Sequence, residues 1–419
     1  MVQPDWIERS KPLMAFAGRI YPRFVCDLRA LVDIESESGD AEGSGQIATW
    51  LQGKLAALSA SVETRANTNG VHLIAHLPGN GQGRFLFLMH TDTVHPRGSL
   101  LKQPFLVDDQ GHAYGPGAGD SKSSVVFSLY VAEALQALAG DSFSEMVLYF
   151  DCEEEIGSKD EEAIVIELAQ NVDVAFVLDT ARPDWGIVTC RKGIAGYELR
   201  VHGVPGHSGN APQATASATM ELAHQLTALN QLASPPPGDP TQFSHAALVA
   251  RSIQDHGQFI PEISINAGVI GTRNTKANVV PDQAYAVVEV RAYQQADLER
   301  IDQAVHAQTS HPTVSGTRVE VIRGRSLLPM EKSQASARII ELYKQIVRTI
   351  YQAEVVEWSA GGITVGNLTS QYIPTVDALA VEVHNEHDLL REYADLNTFA
   401  PRLVSLVLLV QELGRGPAI

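Results

Sequence analysis

FLFLMHTDTV, residues 85–94, sets an unbroken apolar run against a histidine and an aspartate two positions apart. An apolar run without polar alternation suits a strand covered on both faces, and such strands lie inside sheets flanked by helices. His90 and Asp92 then stand at the rim, where the strand ends. Working outward, 71–77 (VHLIAHL) reads as another strand, and 24–34 and 45–59 carry apolar residues at helical spacing. Downstream, 121–138 predicts a helix, 146–151 (MVLYFD) a buried strand and 174–178 (VAFVL) one more. Strands separated by helices imply an α/β fold whose sheet is mixed and mostly parallel, flanked by helices.

Near residue 196 the texture changes. Residues 196–202 (GYELRVH) alternate like a half-exposed strand, 216–233 is helical, and 234–240 (SPPPGDP) is a Pro/Gly-rich loop. Strands at 263–270 and 284–292 and a helix at 295–308 follow, which suits a small α+β domain inserted into the larger one. The expected organisation is 1–195 and 314–419 as two parts of the α/β domain, with 196–313 as the insert. A chain of 419 residues is in any case too long for one ordinary core. The helix expected over 400–414 closes the second part.

The formal net charge is −18, from 49 acidic against 31 basic side chains. Nucleic acid and anionic membrane both need a basic footprint, so neither is the expected partner. Cys26, Cys152 and Cys190 form no C-x-x-C pair, which leaves neither a disulfide framework nor a thiolate zinc site. The N-terminal stretch lacks a signal-peptide pattern, and no apolar run approaches the ~20 residues of a membrane span. The expected location is the cytoplasm.

The polar residues gather where strands end. His90 and Asp92, at i and i+2, point to one side of an extended segment, and an imidazole oriented by a carboxylate is a common zinc pairing. Taken alone, the pair reads more readily as a polar sheet rim. AYGPGAGDSKSS, 113–124, is glycine-rich and runs into a helix, yet Asp120 stands where a phosphate loop needs Gly-Lys, so a nucleotide site fits poorly. A carboxylate there can instead bridge two cations. DCEEEIGS, 151–158, places Glu153, Glu154 and Glu155 side by side after a strand. Alone it would read as an acidic helix start. Asp179 ends the strand VAFVL. Four such clusters on four successive strands match the rule that α/β sheets bind ligands at the carboxyl ends of their strands.

The order and spacing of these motifs resemble the di-zinc metallopeptidase family of acetylornithine deacetylase, succinyl-diaminopimelate desuccinylase, aminoacylase and glutamate carboxypeptidase. The family's H-x-D-T-V matches His90–Val94, its Y-G-P/R-G-x-x-D matches Tyr114–Asp120, and its D-E-E-x-G-S matches Glu153–Ser158. G-x-x-x-H-S/A matches Gly203–Ser208; N-x-I/V-P-D and the later V-R match Asn278–Asp282 and Val290–Arg291. The resemblance implies two zinc ions per chain, with Co2+ or Mn2+ as substitutes. It gives His90, Asp120 and Asp179 to one, and Asp120, Glu155 and a late histidine to the other. Both His384 and His387 fall in that region; the spacing to Glu392 and Tyr393 favours His387.

The resemblance also implies Glu154 as general base, Asp92 as the carboxylate behind His90, and His207 as an oxyanion donor reaching across a homodimer. Asn278, Arg291 and Arg325 become candidates for a substrate carboxylate, and Gly362 for close backbone approach to substrate. The implied reaction is hydrolysis of an amide bond in a small peptide or N-acyl amino acid. The long helical N-terminus and GRSLLPM at 324–330 lean towards the glutamate-carboxypeptidase branch; deacylase and dipeptidase are alternatives, as is a metal-binding protein without catalysis. Two departures stand out. Glu153 occupies a position where the family has Asp, and Val365, within SAGGITVGNL, occupies another.

Overall fold

The computed structural model describes residues 5–210, 212–233 and 262–415; the loop expected at 234–240 lies outside them. The chain divides into two compact units, Met1–Thr189 with Lys332–Trp358 and Thr364–Ile419, and Cys190–Glu331 with Ser359–Ile363.

An eight-stranded mixed sheet organises the first unit, in the order Ser61–Ala66, Val71–Pro78, Glu145–Asp151, Arg84–His90, Val174–Val177, Thr375–Asp377, Ile187–Arg191, Glu357–Ala360. Its centre is parallel: Arg84–His90 pairs in parallel with both Glu145–Asp151 and Val174–Val177. The strand 71–78 is antiparallel to its neighbours on both sides. The central strands are apolar throughout because both faces are covered. Phe85, Phe87 and Met89 pack with the helices Trp6–Val32, Ser123–Ala139, Gln334–Tyr351 and Phe399–Arg415, while Leu86 and Leu88 pack on the other side with Ile164, Val165 and Leu168 of the helix Lys159–Ala169. The register sets His90 opposite Asp151 and Leu88 opposite Val177, so the polar residues that follow each strand emerge at one edge.

Two elements differ from expectation. The first helix begins at Trp6, not near 24, and runs through Pro12 and Pro22 to Val32. Leu13, Phe16, Ile20, Phe24, Leu28 and Leu31 form one buried stripe, which outweighs the backbone hydrogen bonds that proline lacks. The segment Leu396–Arg415 is long and apolar enough by composition to cross a membrane, but 67% of its most apolar window is buried inside the fold.

The second unit is an antiparallel four-stranded sheet in the order Ile263–Thr272, Gln283–Ala292, Gly193–His202, Arg318–Leu327. Tyr197, Leu199 and Val201 point into its core with Leu222 and Leu229 of the helix Ala218–Asn230 and Ile301 and Val305 of the helix Gln295–Thr309. Glu198 and Arg200 point away and pair with each other. The strand 318–327 was expected in the returning α/β part; it belongs instead to this sheet, paired with Gly193–His202 and reaching past the expected boundary at 313.

Candidate metal centre

His90 ends its strand fully inside the protein. Its Nε2 lies 2.8 Å from Asp120 Oδ1 and 3.8 Å from Asp179 Oδ1. Its Nδ1 lies 3.1 Å from the Asp92 carbonyl and 3.4 Å from Asp92 Oδ1. The Asp92 carboxylate also accepts from Ser38 Oγ (2.6 Å) and from the backbone N–H groups of Glu154 (3.2 Å) and Glu155 (3.3 Å). It therefore holds both the back of the imidazole and the turn that carries the two glutamates.

Asp120 sits on an irregular turn. Gly117 has φ +68°, and a Cβ on Gly119 would meet Val383 at 2.6 Å and Glu392 at 3.1 Å, so both positions need glycine for the carboxylate to emerge here. The Asp120–Ser121 peptide is cis. While Asp120 Oδ1 faces His90, its Oδ2 lies 3.2 Å from His387 Nε2. One carboxylate thus presents an oxygen to each of two histidines, the arrangement a bridging ligand requires.

His387 Nε2 also lies 3.7 Å from Glu155 Oε2. His384 is held elsewhere: its Nε2 pairs with Glu382 Oε1 at 2.8 Å and its ring stacks on Tyr393 at 4.7 Å. The geometry therefore places His387 at the centre, on a turn where its own φ is +66°. Donor atoms of His90, Asp120 and Glu155 all lie within 4.8 Å of one another, and Glu155 Oε1 is buried with no hydrogen-bond partner.

Electrostatics makes the same point. Burial pushes Glu154 well above the usual carboxylate range; His90 draws it back, while Asp179, Glu155 and Asp120 push it further up. Glu155 is pushed up to about 7 by burial, with Asp120 and Asp92 adding to it. Burial opposes the charge on Asp120, yet its hydrogen bonds to His387 and His90 hold it well below its ordinary value. The hydrogen bond to Asp120 raises His387 to about 9. The raised values of Glu154, Glu155 and His387 mark a cluster whose groups compete for positive charge. A donor set of imidazole and carboxylate oxygen with no thiolate, one carboxylate shared and one oxygen orphaned fits zinc.

The remaining sequence-predicted residues belong to the second unit. His207 is exposed, on the short strand Gly206–His207, with its Nδ1 accepting from Gly209 N at 3.2 Å. Asn278 accepts through its carbonyl from Ser208 N at 3.0 Å. Arg291 donates to Glu289 (2.6 Å) and to the Gly361 carbonyl (3.1 Å). Arg325 is exposed at a bulge between Arg323 and Ser326. A Cβ on Gly362 would meet only Arg191 Nη1 at 3.9 Å, so packing within the unit does not demand glycine there.

Two features escaped the sequence. Glu392, read only as a landmark, is buried and accepts from Gly119 N (3.1 Å), Asp120 N (3.2 Å), His387 N (3.1 Å) and His95 Nε2 (3.0 Å), tying the Asp120 and His387 loops together. Its signal is the carboxylate itself, in a stretch that folds back on the sheet. Arg191 and Lys192, consecutive and buried, begin the second unit; Lys192 donates to Ser264 Oγ at 3.3 Å and lies 5.2 Å over the Tyr293 ring. Only two adjacent charges in a strand that otherwise reads as apolar mark them.

Residues 189–317 match the family described as a peptidase dimerisation domain. The chain is similar to carboxypeptidase G2 of Pseudomonas sp. (strain RS-16), 23% identical across 98% of this chain and 94% of that one. It is 24% identical to acetylornithine deacetylase of Myxococcus xanthus, across 80% of this chain and 88% of that one. The fold is shared with aminopeptidase PepT from Bacillus cereus, with a TM-score of 0.73 and 18% identity across 94% of this chain and 99% of that one.

Proposed function

We propose that this chain, a member of the metallopeptidase family of carboxypeptidase G2, acetylornithine deacetylase and succinyl-diaminopimelate desuccinylase, is a di-zinc hydrolase that removes a C-terminal amino acid from a small peptide or acyl-amino acid. The carrying observation is Asp120, with one oxygen towards His90 and the other towards His387. His90, Asp120 and Asp179 would hold one zinc; Asp120, Glu155 and His387 the other. When bound, the pair supplies Lewis-acid polarisation of the scissile carbonyl and a lowered pKa for water.

Glu154 takes the proton from the attacking water and delivers it to the leaving nitrogen. Asp92 fixes the ring of His90 and, through the N–H groups of Glu154 and Glu155, the turn beneath the base. Asn278, Arg291 and Arg325 supply donors for a substrate carboxylate, and Gly362 leaves room for its backbone. His207 donates to the developing oxyanion from the partner of a homodimer. The carboxypeptidase branch is favoured over the deacylase branch because the similarity to carboxypeptidase G2 spans 98% of the chain, against 80% for acetylornithine deacetylase.

The test is a hydrolysis screen of the zinc-loaded protein over N-acyl amino acids, dipeptides and γ-glutamyl or folyl amides. Release of C-terminal glutamate from the last group, faster than deacylation, supports the proposal. Preferential deacylation moves the chain to the other branch, and no hydrolysis of any class refutes it.

A further inference from the structure

Glu153 stands one methylene longer than the aspartate expected at its position, and it is fully buried. Its carboxylate meets partners from two separate segments, 67–72 and Ser158. Oε1 accepts from Asn69 Nδ2 at 2.5 Å. Oε2 accepts from Asn67 Nδ2 at 2.8 Å and Ser158 Oγ at 2.6 Å, and lies 3.1 Å from His72 Nε2. The other face of the His72 ring is engaged too, with Nδ1 at 3.0 Å from Tyr149 OH and 3.2 Å from Asp151 Oδ1. The Asn67 and Asn69 amides and the Ser158 hydroxyl donate to the Glu153 carboxylate, and His72 Nε2 does so when it carries the proton, so the pocket suits a charged carboxylate better than an amide's NH2 group. Burial opposes that charge, but Ser158, Asn69, Asn67 and the charge of His72 hold the group below its ordinary pKa.

The same residue closes the turn that follows it. Its carbonyl accepts from Ile156 N (3.2 Å) and Gly157 N (2.6 Å), and its side chain reaches Ser158, the N-cap of the helix Lys159–Ala169. Glu154 and Glu155 lie on this turn, gripped on its other side by Asp92 through their backbone N–H groups. We infer that Glu153, seated in the donor pocket of Asn67, Asn69, His72 and Ser158, is a positioning residue that aims Glu154 and Glu155, and that the extra methylene is what lets it reach the 67–72 segment. The inference rests on the proposed roles of Glu154 as base and Glu155 as ligand.

The experiment compares wild type, Glu153→Asp, and Glu153→Asp combined with Asn69→Gln, whose longer amide reaches back to the shortened carboxylate. Zinc affinity is measured by chelator competition, with kcat, KM and thermal midpoint alongside. Glu153→Asp is expected to weaken zinc binding about tenfold and lower kcat about 10- to 100-fold. KM should stay within about twofold, because substrate binding is untouched. The double variant should recover part of both losses. Unchanged zinc affinity and kcat overturn the inference, as does a lowered thermal midpoint with kcat intact, or a double variant with no recovery. Should Glu153→Asp not fold, Asn69→Ala carries the same prediction with a loss of about threefold. A wild type that binds zinc yet hydrolyses nothing refutes the proposed function, while the ratio of zinc affinities still decides the role of Glu153.

Discussion

Lowering the pH from 8 to 6 sets protons against zinc at the same atoms. The hydrogen bond to Asp120 raises His387 to about 9 and burial raises Glu155 to about 7, and each binds metal only in its deprotonated form. Since both values are raised, apparent affinity should climb with pH until about 9. Across the two units from 8 to 6 the His387 penalty deepens about 100-fold, and Glu155 adds about tenfold. The His387 side chain is 56% exposed, so solvent screening removes up to about tenfold of its share. The expected net loss is at least about 100-fold, because His90, also raised well above its ordinary value, adds to it. Competition against a chelator whose own proton affinity is known measures it. Calorimetry in buffers of different ionisation enthalpy should show at least about one proton released per chain at pH 7. An affinity that stays flat between pH 6 and 8, with no proton release, would refute the arrangement of Asp120, Glu155 and His387 described above.

Glu154→Gln should keep its metal and lose about 100-fold or more in kcat, read by elemental analysis and steady-state kinetics; unchanged turnover would remove Glu154 as the base. His387→Ala should lose metal, whereas His384→Ala, which breaks the contact to Glu382 and the stacking on Tyr393, should stay loaded under the same dialysis. Glu161 offers a stability test. Burial and Asp151 push its carboxyl up to about 11, and the neighbouring Asp151 Oδ2 is buried without a partner. The folded state thus holds a proton that the unfolded state releases near 4.5, so stability from this group is full below that pH and falls as pH rises. Glu161→Gln can keep the cap to Ser158 N and donate to Asp151, and should gain about 1 kcal/mol over wild type at pH 8 in urea unfolding, with the gain shrinking towards pH 5.

The parts of the fold legible in the sequence were those where burial imposes one pattern. Residues 85–89, 146–151 and 174–178 are apolar because both faces are covered, and GYELRVH alternates because only one is. The edge strand Ser61–Ala66 (SVETRA) was missed, being mostly exposed and charged. The strand 318–327 was misplaced because its outer half is exposed and carries no alternation to tie it to Gly193–His202. At the centre, His90, Asp120 and Glu155 were legible because each follows its own strand or glycine turn. The choice between His384 and His387 turned on a left-handed turn that spacing only hints at. Glu392 and the pocket of Asn67, Asn69 and His72 act across about 80 to 270 residues of chain, where local pattern carries no signal.

Two zinc ions at the ends of the central strands are proposed to make the chain an amide hydrolase. The most direct test is titration of the chelated, dialysed protein with zinc while hydrolysis of a γ-glutamyl or folyl amide is followed. Activity that is absent without metal and levels off at about two zinc per chain is the predicted result. Full activity in the chelated protein, or two bound zinc ions with no hydrolysis, would contradict it.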